Sequence, residues 1–68
     1  MKEVKLGDTG RHVSVLQALL YLEGGELEIT GSFDEDTRDA LCEYQARYGI
    51  NESRGTATPV TWMKLLGV

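Results

Sequence analysis

Covalent or metal chemistry in this chain would have to run through His12 and Cys42, because there is one histidine and one cysteine. Two such side chains are too few for an ordinary zinc site, and a nucleophilic set would need both of them and an acid to meet across two helices. The acidic residues are spread along helix faces that read as solvated, which is their ordinary disposition without any site. The expectation is no catalytic residue, no metal and no cofactor. Cys42 falls mid-helix beside Glu43 rather than in an exposed, electropositive loop, so it reads as packing, and one cysteine makes no internal disulfide. His12 reads as a packed or loop-bonded side chain.

Noncovalent binding is better provided for. Tyr21 lies on the polar side of its helix, where a ring has no packing role and could stack on a sugar face or an apolar side chain. Tyr48 stands next to a polar loop with Asn51, Ser53 and Arg54, a guanidinium with neighbouring amide and hydroxyl groups suited to a carboxylate. The plainer alternative for Arg54 is an ordinary solvated loop. Gln17 and Gln45 could also bond a ligand. Each recurs at the same place relative to a glycine turn, however, so an amide tying loop backbone to helix is the more economical reading. Arg38, one turn beyond Asp34, reads as half of a local surface ion pair.

Three helices must position these groups. Asp34 can accept from the free N–H groups of a first turn, with Glu35 and Asp36 at the positive end of the dipole. Thr37, Leu41, Tyr44 and Tyr48 then recur at helical spacing with Ala40 beside them, and Gly49 and Ile50 supply a stop, so a helix is expected over about 35–48. Before it, the turn residues from Gly7 to Gly10 lead into a helix over about 11–22, with Val13, Leu16, Leu19 and Leu20 on one face and Val15 and Leu22 flanking it. Residues 26–30 read as an extended loop whose Leu27 and Ile29 point inward. Thr58 as a capping hydroxyl and Pro59 in the first turn open a third helix over about 59–66, with Trp62, Leu65 and Leu66 apolar and Val60 and Met63 partly covered. Phe33 and Trp62 read as core.

The units repeat. Gly31 precedes Thr37 by six and Leu41 by ten, and Gly55 stands in the same relation to Thr61 and Leu65. The expected fold is all-α: one domain over residues 1–68, a small closed three-helix bundle built from repeated glycine-turn and helix units, each too small to bury its own apolar face. A net charge of −4 with scattered Lys and Arg argues against nucleic acid. No apolar run reaches membrane-spanning length, and the first residues lack the apolar segment of a secretory signal. Either the chain stays where it is made or it is a piece of a longer protein.

On three stretches the chain resembles the peptidoglycan-binding domain carried as a module by bacterial and phage cell-wall hydrolases. They run from Gly7 through Leu20, from Gly31 through Gln45, and from Gly55 through Leu65. The family usually has Asp where this chain has Thr30, often Gly where it has Asp34, and Leu-Gly where it has Glu23 and Gly24. The resemblance implies a non-catalytic module that attaches to bacterial peptidoglycan and targets a linked or partner hydrolase, in the cell envelope or outside the cell. It leaves glycan and stem peptide open as ligands. The expected binding residues are Tyr21, Tyr48, Asn51, Ser53 and Arg54, on a monomer without membrane insertion. The alternative is a protein-interaction module or propeptide-like domain of an envelope or phage assembly. An exposed apolar patch including Val60, Met63 or Val68 would favour a protein partner, and a polar groove with an aromatic rim would favour the wall.

Overall fold

The computed structural model describes residues 3–51 and 54–67. Three helices follow in order: α1 (Arg11–Leu22), α2 (Glu35–Arg47) and α3 (Pro59–Leu66). α2 ends one residue before the expected boundary, because Tyr48 is already the C-cap. Beyond it Gly49 N–H donates to Ala46 O at 3.3 Å and Ile50 N–H to Gln45 O at 2.8 Å. This pair of bonds closes the helix end and folds Ile50 onto the core. α1 closes in the same way, through Gly24 N–H to Tyr21 O and Gly25 N–H to Leu20 O.

At the start of α2, Asp34 accepts from Thr37 N–H at 3.0 Å and from its hydroxyl at 2.9 Å. Those two bonds from Thr37, backbone first, hold the Asp34 carboxyl below the usual carboxylate range. A depressed folded-state pKa means that the capping contribution is fully present above the unfolded value and is lost as pH falls through the folded one. Asp34→Ala should cost ~0.5–2 kcal/mol at neutral pH. The check is urea unfolding from pH 7 down to pH 2: the loss between wild type and variant must shrink on the acid side, and a pH-independent gap would rule out the ionised cap.

Thr58 behaves differently from the expected cap. It occupies the N-cap of α3, yet its hydroxyl accepts from no backbone N–H of the first turn. It lies instead 3.5 Å from the Thr61 hydroxyl in a buried polar cluster. Arg38 also changes partner, pairing with its neighbour Asp39 at 3.3 Å rather than with Asp34. Both side chains are well exposed, so the pair is worth ~0–1 kcal/mol.

The repeated glycine turns are built alike. Gln17 Oε1 accepts from Thr30 N–H at 2.8 Å and Gly31 N–H at 2.9 Å, while its Nε2 donates to Ser32 O and Thr37 Oγ1, both at 2.9 Å. One helix later Gln45 Oε1 accepts from Gly55 N–H at 2.9 Å, and its Nε2 donates to Thr56 O at 2.9 Å and Thr61 Oγ1 at 3.1 Å. Each glutamine thus ties the following turn and the first turn of the next helix to its own helix. Gly31 and Gly55 have φ of 84° and 87°, a left-handed conformation that a side chain would strain. A Cβ at Gly55 would also lie 3.2 Å from Arg38 Cγ.

The segment before α1 is laced to both turns by antiparallel bridges, Val4 with Ala57 and Thr9 with Ser32. Val4 and Ala57 exchange both backbone bonds, at 3.2 and 2.7 Å, and Phe33 N–H donates to Asp8 O at 2.8 Å. Val4, Phe33 and Ala57 thereby join the core of Val13, Leu16, Leu20, Ala40, Leu41, Tyr44, Ile50 and Trp62.

Several apolar side chains face outward against expectation. Ile29 is 53% exposed while Leu27 packs on the core. With no partner strand, nothing enforces a two-residue alternation there, and the position of the loop is set by the Gln17 bonds. Val15, Leu22 and Leu66 are exposed too. Each sits beyond the edge of an apolar stripe whose width is set by how much of a helix its neighbours can cover.

Candidate functional site

One cleft runs along α2 and a second lies at its C-terminal end. The first, about 380 Å³, lies between α2 and the end of α1 with its following turn. Glu23 and Glu26 line it on one side and Asp36, Asp39 and Glu43 on the other, with Arg47 as the only cation among its lining residues. The Arg47 guanidinium spans the cleft, donating from Nη1 to the Glu23 carbonyl at 3.0 Å. Asp36, Asp39 and Glu43 share a helix face at i, i+3 and i+7, and the α1 turn supplies two more carboxylates opposite them. They do not converge: among the described residues no three His, Cys, Asp or Glu stand together as a metal site.

The second cleft is a groove of about 480 Å³ between the end of α2 and the outer face of α3. Tyr48, Ile50 and Asn51 form one side, and Val60, Met63 and Lys64 the other. Val60 and Met63 are 51% and 53% exposed, where partial cover was expected. Their positions on α3 explain it: Thr61 and Trp62 turn inward, so Val60, Met63 and Lys64, spaced i, i+3, i+4, share the opposite face.

Tyr48 stands between the clefts. Its hydroxyl donates to Glu23 Oε1 at 3.2 Å, its ring centroid is 4.7 Å from that of the buried Tyr44 at a 48° tilt, and Lys64 Nζ lies 5.0 Å from the ring centroid. The expected stripe position of Tyr48 is therefore corrected, because the ring sits at the helix end as an exposed partition. Burial, then the nearby Glu23 charge, pushes the Tyr44 hydroxyl up, so this ring is a neutral phenol over the whole physiological range.

Of the residues expected to bind, Tyr48, Asn51 and Arg54 come together. Asn51 and Tyr48 line the groove, and Arg54 Nη2 donates to Asn51 Oδ1 at 3.1 Å. Tyr21 is 59% exposed but lines neither cleft. Ser53 and Val68 lie outside the described residues. Lys64 was not singled out from the sequence, although its i, i+4 relation to the exposed Val60 was the available signal. The acidic cleft was missed because its two sides come from separate elements.

The two side chains with nucleophilic or ligating potential pack against different turns. A Cβ at Gly55 would lie 3.6 Å from Cys42 Sγ, and one at Gly10 would lie 3.0 Å from the His12 ring. Among the described residues no helix is long and apolar enough to cross a membrane.

Comparison with known proteins gives a consistent result. Residues 9–65 match the sequence profile of a family described as a peptidoglycan binding domain. FadG, an uncharacterized protein of Bacillus subtilis (strain 168), is 33% identical over 57 residues, covering 82% of this chain and 10% of FadG. Among solved structures, the Burkholderia AP3 phage endolysin superposes with a TM-score of 0.91 at 39% identity, over 97% of this chain and 25% of the endolysin. A peptidoglycan-binding protein from Clostridioides difficile, crystallised with glutamine hydroxamate, gives 0.89 at 34% identity, over 94% of this chain and 40% of that one. The N-terminal domain of SleB gives 0.90 at 27% identity, over 97% and 90% respectively. The chain spans only a small part of FadG and less than half of the endolysin and the C. difficile protein.

Proposed function

This chain belongs to the peptidoglycan-binding domain family, and from that membership we propose that it holds bacterial cell-wall peptidoglycan noncovalently, without catalysing a reaction on it. The observation that best supports a location for this is that Tyr48 and Asn51 line one groove and Arg54 is bonded to Asn51 beside it. An aromatic rim with amide and guanidinium donors suits a polymer of amino sugars and carboxylate-bearing peptides. Tyr21 is an independent contact on the outer face of α1. The module concentrates a linked or partner cell-wall hydrolase in the envelope or outside the cell. Two of its relatives, an endolysin and the C. difficile peptidoglycan-binding protein, extend well beyond the matched region. A single shallow site binds weakly, and tethering raises its occupancy through effective concentration.

Cosedimentation with purified, insoluble wall sacculi tests this. The folded chain should pellet with sacculi, and Tyr48→Ala should lower the pelleted fraction several-fold, because the ring lines the groove and holds the Lys64 ammonium beside it. A chain that stays in the supernatant with sacculi of several wall chemistries would refute wall binding. The exposure of Val60 and Met63 on α3 supports a second reading, in which this face contacts a protein.

A further inference from the structure

Resting on the wall-binding reading, we propose that the groove between the end of α2 and α3 takes the carboxylate-bearing end of a wall stem peptide with small apolar side chains, and not the glycan. The groove offers an apolar surface, with Ile50 at the core side and Val60 and Met63 exposed along α3. Its volume of about 480 Å³ is in the range of pockets that hold small ligands.

Charge selects the occupant. Seven Lys and Arg face eleven Asp and Glu in the chain, and the first cleft has five carboxylates against one arginine. At the groove the balance is reversed. Lys64 lines it, Arg54 is held beside it by Asn51, and among the described residues no carboxylate lines it. A carboxylate is drawn to this rim and repelled from the other cleft. The Asn51 side chain is oriented for the same purpose: its Oδ1 accepts from Arg54, which leaves its NH₂ group as a donor. The N–H groups of Gly49 and Ile50 are already spent on Ala46 and Gln45.

The same contacts weigh against a sugar on Tyr48. A stacked sugar needs an open ring face, and this ring has Lys64 Nζ 5.0 Å from its centroid and Tyr44 packed at 4.7 Å. The ring thereby positions the Lys64 ammonium at the groove, by a cation–π contact. Tyr48 acts here as a support for the cation.

The test is NMR titration of the 68-residue chain with the synthetic pentapeptide L-Ala-γ-D-Glu-L-Lys-D-Ala-D-Ala as the free acid, and separately as its C-terminal amide. A tetramer of N-acetylglucosamine serves as the glycan probe. The free acid should shift the resonances of Asn51, Val60, Met63 and Lys64. Amidation and Lys64→Met should each weaken it about fivefold, the size of a partly exposed charge contact. Lys64 is exposed, so its variant should keep the wild-type unfolding midpoint. Equal binding of acid and amide, unchanged binding by Lys64→Met, or shifts of these residues by the sugar tetramer would each overturn the proposal. Concentration-dependent shifts at Val60 and Met63 without any probe would overturn it as well, by showing that a second copy covers the face. Sacculi that still pellet the chain while the pentapeptide fails to bind would defeat this inference and leave wall binding standing; failure of both would remove both.

Discussion

Gln17→Ala should lower the stability of this domain by roughly 2–4 kcal/mol, although the residue touches no proposed ligand. Its side chain is fully buried and makes four hydrogen bonds, to Thr30 N–H, Gly31 N–H, Ser32 O and Thr37 Oγ1, with Thr30 Oγ1 also 3.3 Å from its Nε2. Truncation leaves two backbone N–H groups, a carbonyl and a hydroxyl without that partner, and each buried orphan costs ~1–3 kcal/mol before water partly compensates. The sum is held below the arithmetic total because the Thr30 side of the network is near solvent and because Thr37 keeps its bond to Asp34. For a domain of this size that loss corresponds to a fall of about 8–30 °C in the thermal midpoint. Gln17→Glu separates the two halves of the amide. Its carboxylate can still accept from Thr30 and Gly31, but it sets an oxygen against Ser32 O where the amide donated and buries a charge, so at neutral pH it should be at least as destabilising as alanine and should recover stability as falling pH protonates the carboxyl into a donor. Thermal and urea unfolding followed by circular dichroism provide the measurement. A loss under ~0.5 kcal/mol for the alanine variant, the level of an ordinary surface substitution, would show that the network is not what holds the turn.

Trp62→Ala carries the second large expected effect, at ~3–5 kcal/mol. The side chain is 2% exposed, and of the eight residues of α3 only it and Thr61 are buried, with Leu65 partly so. The attachment of α3 therefore depends on one large side chain and the Gln45–Thr61 bond. A chain of 68 residues has a total stability of about 3–10 kcal/mol, so the variant should be largely unfolded or lose α3 at room temperature. Because Trp62 is the only tryptophan, the readout must be far-ultraviolet circular dichroism and amide dispersion rather than fluorescence. Met63→Ala is the internal control: the neighbouring side chain is exposed, so the change should stay within about 0.5 kcal/mol. Equal effects at the two positions would contradict the inward and outward assignment of α3.

These two expectations differ in how they could be reached. The buried, bonded state of Gln17 and Gln45 was legible in the chain, because two amides recurring at the same place before glycine turns are better explained by backbone needs than by coincidence. The depth of the Trp62 dependence was not, since it follows from how little else on α3 is covered. The site shows the same division. Tyr48, Asn51 and Arg54 are neighbours in sequence, so their grouping at the groove could be anticipated. Val60, Met63 and Lys64 come to the same groove across a turn, and α3 was expected to bury more of its apolar surface than it does. Thr58 and Arg38 were assigned partners by local rules, and both took others nearby: the Thr61 hydroxyl and Asp39.

What the sequence determined by itself is the set of three helices, their starts and stops, the repeated turn unit and the likeness to wall-binding modules. Those features depend on neighbours within a turn or two: a helical period, an Asp that caps at Thr37, a glycine that takes a left-handed turn. Only the tertiary structure decided the pairing of Val4 with Ala57 and of Asp8 with Phe33, the outward turn of Ile29, and the contrast between an acidic cleft and a groove with cations at its rim. Each of these joins segments far apart in the chain. A backbone bond or an opposed pair of charged faces has no periodic trace in either segment alone, because its energy exists only once the helices have brought the two together.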